Sequence, residues 1–310
     1  MMVAAARKHS HSMRMVFSGS PSRSYRKIAL IVLAALVLSG AILAWKAWHD
    51  TLSGPVVRRT SVVLPDMAPG TPPVTVALIS DIHVAGPDMP PERLERIVAQ
   101  INALRPDAVM IAGDLVSEKK LATHIYEPDE IVAPLGGLRA PLGTFVVPGN
   151  HDHWYDLEGL ASQLVQRGIT VLANEAVEAG PLLIGGLDDE YTGHGDIGKT
   201  LAAMDEREGA RLFLSHSPDP LPDLPQGSLI LAGHTHCGQV QLPVIGIVFT
   251  QSRYGKRFAC GRTDDPRGIA IVGAGLGTSG LPLRFDTQPE IWLIELRPPE
   301  RTPTAADVSD

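Results

Sequence analysis

Cysteine is scarce in this 310-residue chain, which has only Cys237 and Cys260. Two cysteines are too few for a disulfide framework, although an exported chain could still join them. The sequence also has no H-E-x-x-H zinc helix, and its glycine-rich stretch Gly275–Phe285 lacks the lysine of a P-loop. No internal repeat or low-complexity tract is present. With 44% hydrophobic residues, the chain is globular and can bury a sizeable core in one or two domains.

Positive charge is scarce outside the N-terminus. Residues 1–27 carry six Lys or Arg and no acid, which leaves 21 bases against 34 acids in the rest of the chain, a net charge of −13. A body this negative repels the phosphates of nucleic acids. We therefore expect no nucleic-acid partner.

One apolar run, Ile28–Trp45, contains eighteen residues without a charge, close to the roughly 20 that cross a bilayer as a helix. The bases before it predict a cytoplasmic N-terminus and a body on the extracytoplasmic, periplasmic side. A cleaved signal peptide is the alternative, with a small-residue cleavage site at residues 39–41. The long basic segment and the length of the run favour an uncleaved single-pass anchor.

Composition divides the chain into five expected segments. Residues 49–73 mix Pro, Gly and polar residues around one short apolar run, which could also pair as an edge strand, and the last residues are polar and proline-rich. The segments are a basic cytoplasmic N-terminus (1–27), a transmembrane anchor (28–48), a stalk or linker (49–73), a folded domain (74–297) and a disordered tail (298–310).

Between residues 74 and 296, apolar β-like runs repeatedly stop at polar residues and glycine. The runs are Val74–Ser80, Ala108–Gly113, Gly143–Gly149, Arg211–Ser215 and Ser228–Gly233. The first two are separated by a helical pattern, with apolar residues at Leu94, Ile97, Val98, Ile101 and Leu104. Buried strands alternating with a helix predict an α/β fold, with its chemistry beyond the carboxyl ends of the strands.

The residues that follow these runs suit metal binding. They are Asp81, His83, Asp114, Asn150, His151, Asp152, His216, His234 and His236. Any one cluster alone is ordinary turn chemistry, but five of the eleven histidines fall in these clusters. Imidazole, carboxylate and amide groups without thiolate suit Mn, Fe, Zn, Co or Ni. The set exceeds the needs of one ion, so we predict two divalent metal ions sharing a carboxylate, an arrangement that favours phosphoryl chemistry.

The ordered pattern D-x-H, G-D, G-N-H-D, H and G-H-x-H resembles the calcineurin-like metallophosphoesterases over residues 74–296. The matching stretches are SDIHV (80–84), AGDLV (112–116), VPGNHDHW (147–154), SHSPD (215–219) and AGHTHCGQ (232–239). Three more, LANEAV (172–177), GGLDD (185–189) and GLGTSGLPLRF (275–285), resemble the membrane-associated branch with envelope phosphodiesterases and a UDP-diacylglucosamine pyrophosphatase. The resemblance implies a metallophosphoesterase domain of two β-sheets packed face to face and flanked by helices.

The resemblance also implies roles for single residues. One metal takes Asp81, His83 and His236, Asp114 bridges, and the second metal takes Asn150, His216 and His234. A bridging hydroxide would attack phosphorus in line while His151 donates a proton to the leaving oxygen and Asp152 holds the His151 ring. Arg253 and Arg284 could contact a substrate phosphate or form structural salt bridges.

We therefore expect a metallophosphoesterase that hydrolyses a phosphodiester or pyrophosphate of a small molecule, a lipid-linked compound or a nucleotide-sugar lipid at a bacterial envelope. A metal-stabilised binding or scaffold protein is one alternative, opposed by the acid His151 beside a complete ligand set. A cell-wall amidase is another, opposed by the missing helical zinc motif.

Overall fold

The structure is a computed structural model that describes residues 23–300. Most of the predicted basic N-terminus (1–22) and most of the predicted tail (301–310) lie outside the described residues. The chain forms two compact units, one ending at Trp45 and the other beginning at Lys46.

The first helix, α1 (Arg23–Leu52), contains the long apolar run. Its 30 residues are enough to cross a membrane by length and composition, since a helix of that length spans about 45 Å. A signal sequence near the N-terminus would have the same length and composition.

After α1 the chain alternates between strands and short helices. The strands are β1 (Val56–Val63), β2 (Val74–Ile79), β3 (Ala108–Ala112), β4 (Thr144–Val147), β5 (Thr170–Val171), β6 (Glu175–Ala179), β7 (Leu182–Gly186), β8 (Ala210–Leu214), β9 (Ser228–Ala232), β10 (Gln241–Leu242), β11 (Gly246–Ile247), β12 (Gly261–Asp265), β13 (Gly268–Val272) and β14 (Glu290–Arg297). The helices are α2 (Pro91–Ala103), α3 (Pro128–Val132), α4 (Asn150–Tyr155), α5 (Leu157–Gln166) and α6 (Ile197–Asp205), with 3-10 turns at Ala133–Gly137, Leu221–Asp223 and His236–Gly238.

Twelve of these strands form two six-stranded sheets. The first has the order β1-β14-β2-β3-β4-β5 and is parallel except between β14 and β2. The second has the order β12-β13-β9-β8-β7-β6 and is parallel in its four central strands. The α/β prediction with two large sheets and flanking helices is confirmed.

The sheets pack against each other because alternate side chains of each strand face the space between them. In β2, Val76 and Leu78 join the inter-sheet core, while Ala77 and Ile79 join a second core on the helix side. Strands buried on both faces read as continuous apolar runs, which is how they appear in the sequence.

Helix α2 covers the outer face of the first sheet. Pro91 occupies its first turn, where the missing N–H has no cost. Leu94, Ile97, Val98 and Ile101 are buried against the sheet, which confirms the helical pattern.

The segment expected to be a stalk, residues 49–73, contributes a strand and core residues. Within it, β1 pairs in parallel with β14 at the edge of the first sheet. Val62, Leu64 and Met67 are buried in the inter-sheet core.

Candidate metal centre

Five parallel strands, β2, β3, β4, β8 and β9, end at the site. The side chains that follow these strands have the ligand atoms of divalent metals and are buried, apart from the half-buried His151. They are Asp81, His83, Asp114, Asn150, His151, Asp152, His216, His234 and His236. The chain therefore gathers all nine predicted residues at one edge of the two sheets.

One group of ligand atoms surrounds His83. The His83 Nε2 atom lies 3.1 Å from His236 Nε2 and 3.5 Å from Asp114 Oδ2. His236 Nε2 in turn lies 3.4 Å from Asp81 Oδ1.

A second group surrounds His216. The His216 Nε2 atom lies 3.1 Å from Asn150 Oδ1, 3.0 Å from His234 Nδ1 and 3.3 Å from Asp114 Oδ2. Asp114 Oδ2 therefore lies close to a ring nitrogen of each group.

These spacings fit bound cations. Ligands at about 2.0–2.2 Å from one ion lie about 3.0–3.5 Å from each other. The Nδ1 atoms of His83 and His216 lie 2.9 and 2.8 Å from the carbonyls of Val116 and Ala112, which turns each Nε2 lone pair toward the site. The residues thus fit divalent metal ions.

The electrostatics of the site also suit metal binding. Burial lowers the pKa of His83 and of His236 well below the ordinary value and that of His234 to about 3, so these rings are neutral. Burial opposes ionisation of Asp114, but His216 and other nearby histidines outweigh it and hold its pKa well below the usual range. Burial lowers the pKa of His216, but the negative charge of Asp114 outweighs this effect and raises the pKa of His216 to about 10. A cation bound here would replace the proton on His216 as the charge that balances Asp114 and would free the Nε2 lone pair for the metal.

The backbone at the site is strained. Asp81, His83, Asp114, His234 and His236 have φ between 47° and 68°. Left-handed backbone costs a non-glycine residue about 1–3 kcal/mol and persists only where the surroundings enforce it. Such strain is concentrated at binding sites, and here it occurs at five of the seven candidate ligands.

Two glycines allow the close approach of backbone to these side chains. A Cβ atom on Gly149 would overlap the carboxylate of Asp114, and one on Gly233 would overlap Asp81. Glycine is therefore required at both positions by space.

His151 lies beside the two groups of ligand atoms. Its backbone N–H donates to Asp114 Oδ1 at 2.9 Å, and its ring centroid lies 4.9 Å from that of His83. The ring Nε2 atom is 3.5 Å from Ser279 Oγ, and Nδ1 has no partner among the described residues. The ring thus faces the site without being held by a carboxylate.

The expected role of Asp152 is wrong in this structure. Its two carboxylate oxygens accept the backbone N–H groups of Asp114, Leu115, Val116 and Gly149 at 2.8–3.4 Å. Burial and the charge of Asp114 raise the pKa of Asp152 to about 7, although the hydrogen bonds from the backbone amides act to lower it. The carboxylate faces the backbone because it fastens the start of α4 to the loop after β3. Asp152 therefore shapes the loop that carries Asp114.

The two arginines have different surroundings. Arg284 is fully buried, and its Nη2 donates to the carbonyls of Ala274, Gly275 and Gly277. These contacts are structural, but no carboxylate forms a salt bridge with Arg284 in the described residues. Arg253 pairs with Glu190 and Asp219 at 3.2 and 3.7 Å.

Three features around the centre were not deduced from the sequence. Cys237, next to His236, is bonded to Cys260, so it has no thiolate to bind a metal. His153 contacts Asp188 at 2.7 Å, and Ser279 lies near His151. Asp188 and Ser279 lie in stretches that resemble the membrane-associated branch, but no local sequence pattern indicates that they contact His153 and His151.

The comparisons agree with this geometry. The family model of the calcineurin-like phosphoesterases matches residues 74–238. An uncharacterized metallophosphoesterase of Helicobacter pylori (strain J99) is 30% identical over 82% of this chain and 67% of its own length. A transmembrane protein with metallophosphoesterase domain from Danio rerio is 30% identical over 89% of this chain and 64% of its own. The Bacillus subtilis metallophosphoesterase YkuE is 33% identical over 66% and 73%.

This chain belongs to the calcineurin-like phosphoesterase family. It is a hydrolase acting on phosphoric esters, and its His and Asp clusters indicate divalent metal ions. The apolar α1 and the transmembrane relative indicate membrane association. The first two of these relatives are about half as long again as the segment they share with this chain.

Proposed function

We propose that this protein is a dinuclear phosphoesterase that hydrolyses a phosphodiester or pyrophosphate. One metal ion would be held by Asp81, His83 and His236, the other by Asn150, His216 and His234. The observation that carries the proposal is Asp114 Oδ2, which lies 3.5 Å from His83 Nε2 and 3.3 Å from His216 Nε2 and would bridge the ions.

The two ions, when bound, would supply positive charge that stabilises the phosphoryl transition state and acidifies water. Seven of the nine residues are proposed ligands, and the side chain of Asp152 is bonded to backbone. His151 is therefore the remaining candidate for the proton donor. Its half-buried ring stands beside both ligand groups. We assign it the protonation of the leaving oxygen, a role worth about 10²–10⁴ in rate.

The substrate class we propose is a lipid-linked phosphodiester or pyrophosphate of the bacterial envelope, close to the branch with the UDP-diacylglucosamine pyrophosphatase. An anchor before the catalytic domain supports it, since anchoring keeps the site near a membrane surface. A nucleotide-sugar lipid made on the cytoplasmic face would be out of reach of an extracytoplasmic domain, which favours the other members of this class.

We propose that residues 1–27 are cytoplasmic, that 28–48 span the membrane and that 74–297 form an extracytoplasmic catalytic domain. Residues 49–73 would link the span to this domain and add β1 to its first sheet. Six bases before the apolar run support this orientation. The Cys237–Cys260 disulfide supports it as well, because disulfides persist in oxidising compartments. An alkaline phosphatase reporter fused after residue 60 should be active, and an inactive one would place the body in the cytoplasm.

The catalytic proposal is tested with the purified, metal-stripped chain and bis-p-nitrophenyl phosphate. Turnover should return on addition of manganese, or of iron, zinc, cobalt or nickel, and stay absent in Asp114→Asn. Metal binding without turnover of diester, pyrophosphate or monoester would favour a binding protein. Cleavage of cell-wall amides instead would favour an amidase.

A further inference from the structure

A hairpin beside the metal centre exposes apolar side chains. It comprises residues 241–250 and contains β10 and β11, which pair at Gln241 with Ile247 and Leu242 with Gly246. We call it the rim hairpin. No charged residue occurs from Gln239 to Ser252.

The exposure of the rim hairpin is unusual for this chain. Beyond α1, twelve large apolar side chains are exposed in the described residues, and six of them lie on the rim hairpin and its neighbour Leu281. On the hairpin they are Leu242, Val244, Ile245, Val248 and Phe249. Val244 is fully exposed and has φ 70°, a conformation that turns usually give to Gly or Asn. A clustered apolar surface of this kind marks an interaction site.

The rim hairpin forms one wall of a pocket of about 520 Å³. The floor contains His234 and His236, and the walls contain Val248, Phe249 and Leu281. No Asp, Glu, Lys or Arg lines the pocket. An apolar chain can therefore lie against the walls while the phosphate to which it is attached reaches the metal ligands.

The base of the rim hairpin adjoins the end of α1. Gln241 N–H donates to the Phe285 carbonyl at 2.8 Å, and Lys46 Nζ lies 4.9 Å from the Phe285 ring centroid. Lys46 also pairs with Asp286 at 2.8 Å. Lys46 directly follows Trp45, the last residue of the apolar run, so in the proposed topology it lies where the chain leaves the membrane.

We propose that the rim hairpin inserts into the bilayer leaflet at which α1 emerges and that the pocket receives its phosphorylated lipid from that leaflet. Insertion removes the exposed apolar side chains from water, which is the driving force of interfacial binding. The continuity between the end of α1 and the hairpin selects lipid, rather than a protein, as the occupant. The substrate part of this proposal rests on the proposed phosphoesterase activity, and the insertion part rests only on the proposed membrane-spanning α1.

Insertion is tested on the full chain in proteoliposomes of phosphatidylcholine and phosphatidylglycerol. An NBD label at Val244→Cys should be quenched by spin-labelled acyl chains and shielded from iodide. The matched control is Val165→Cys, an equally apolar exposed position on α5, where iodide should quench instead. Equal access of iodide to both labels overturns the proposal. The proposal is also overturned if shielding of the label from iodide increases with the protein-to-lipid ratio, because the surface would then bind a second copy of the chain.

The substrate part is tested with two diesters that share one leaving group. Val244→Ser/Ile245→Ser changes the tip and leaves the pocket lining intact. It should slow hydrolysis of vesicle-embedded p-nitrophenyl hexadecyl phosphate about tenfold and leave bis-p-nitrophenyl phosphate unchanged. The control Val165→Ser should affect neither substrate. Equal losses of activity on both diesters would overturn lipid delivery. If the unsubstituted protein hydrolysed neither diester, the proposed phosphoesterase activity would be refuted. The NBD label would still test insertion in that case.

Discussion

The metal centre and the rim hairpin are neighbours with opposite construction. Asp81 and His83 are fully buried polar groups, and the backbone of both is strained. In the rim hairpin, Val244 lies in the turn between two-residue strands and Phe249 follows the second strand, and both are exposed apolar groups. Both reverse the usual distribution of polar and apolar residues, which is costly unless a ligand compensates it. The buried carboxylate and imidazole suit metal cations, whereas we propose that the exposed apolar groups bind lipid.

The disulfide connects the two regions. Cys237 follows the candidate ligand His236, and its partner Cys260 comes after the hairpin, so the bond closes a loop that contains the whole rim hairpin. A substitution at the metal centre should therefore lower turnover strongly. Loss of the disulfide should affect both the metal centre and the rim hairpin, but weakly.

The largest effect is expected at the atom shared by both groups. Asp114→Ala should remove both metal ions and lower turnover by about 10³-fold or more, since metals supply several kcal/mol to the transition state. Elemental analysis and diester turnover measure the two effects. Full metal content in this variant would refute the bridging assignment.

Replacement of His151 should separate chemistry from metal binding. His151→Ala should retain both ions but lose about 10²–10⁴ in turnover, most with poor leaving groups, because the leaving oxygen then lacks a proton donor. Turnover of diesters with leaving groups of graded pKa measures this. A loss that does not vary with leaving group would argue against the acid role.

Asp152 should act on stability. Asp152→Asn replaces one acceptor oxygen by a donor that faces backbone N–H groups, so the free energy of unfolding should fall by about 3 kcal/mol. Denaturant unfolding measures the loss. Turnover of poor and good leaving groups should fall equally, and a selective loss with poor ones would restore the orienting role that the structure contradicts.

The smallest effect is expected at the disulfide. Cys260→Ser should lower the free energy of unfolding by about 2–3 kcal/mol, because the open loop gains freedom in the unfolded chain. Metal affinity should weaken modestly through His236, measured by competition with a chelator. Unchanged stability and affinity would show that the two regions are independent.

Much of the site could be predicted because each strand ends directly at its candidate ligand. Asp114 follows an apolar run and a glycine, so its position at a strand end is a local property. The contacts of Asp152 are different. Its neighbour His151 is the obvious partner in sequence, yet the helical start at Asn150 turns the Asp152 carboxylate back toward the loop after β3. Sequence adjacency does not fix side-chain direction at the start of a helix.

The apolar helix, the buried strands, helix α2 and a set of residues suited to divalent metals were all predictable from the sequence, because hydrophobic period and residue chemistry are local. The structure adds the distances between the ligand atoms, the position of Asp114 Oδ2 between the two groups that the resemblance implied, the bond of Cys237 and the apolar hairpin beside the site. Those facts depend on strand order and on contacts between residues as far apart as His83 and His236, which no local pattern encodes.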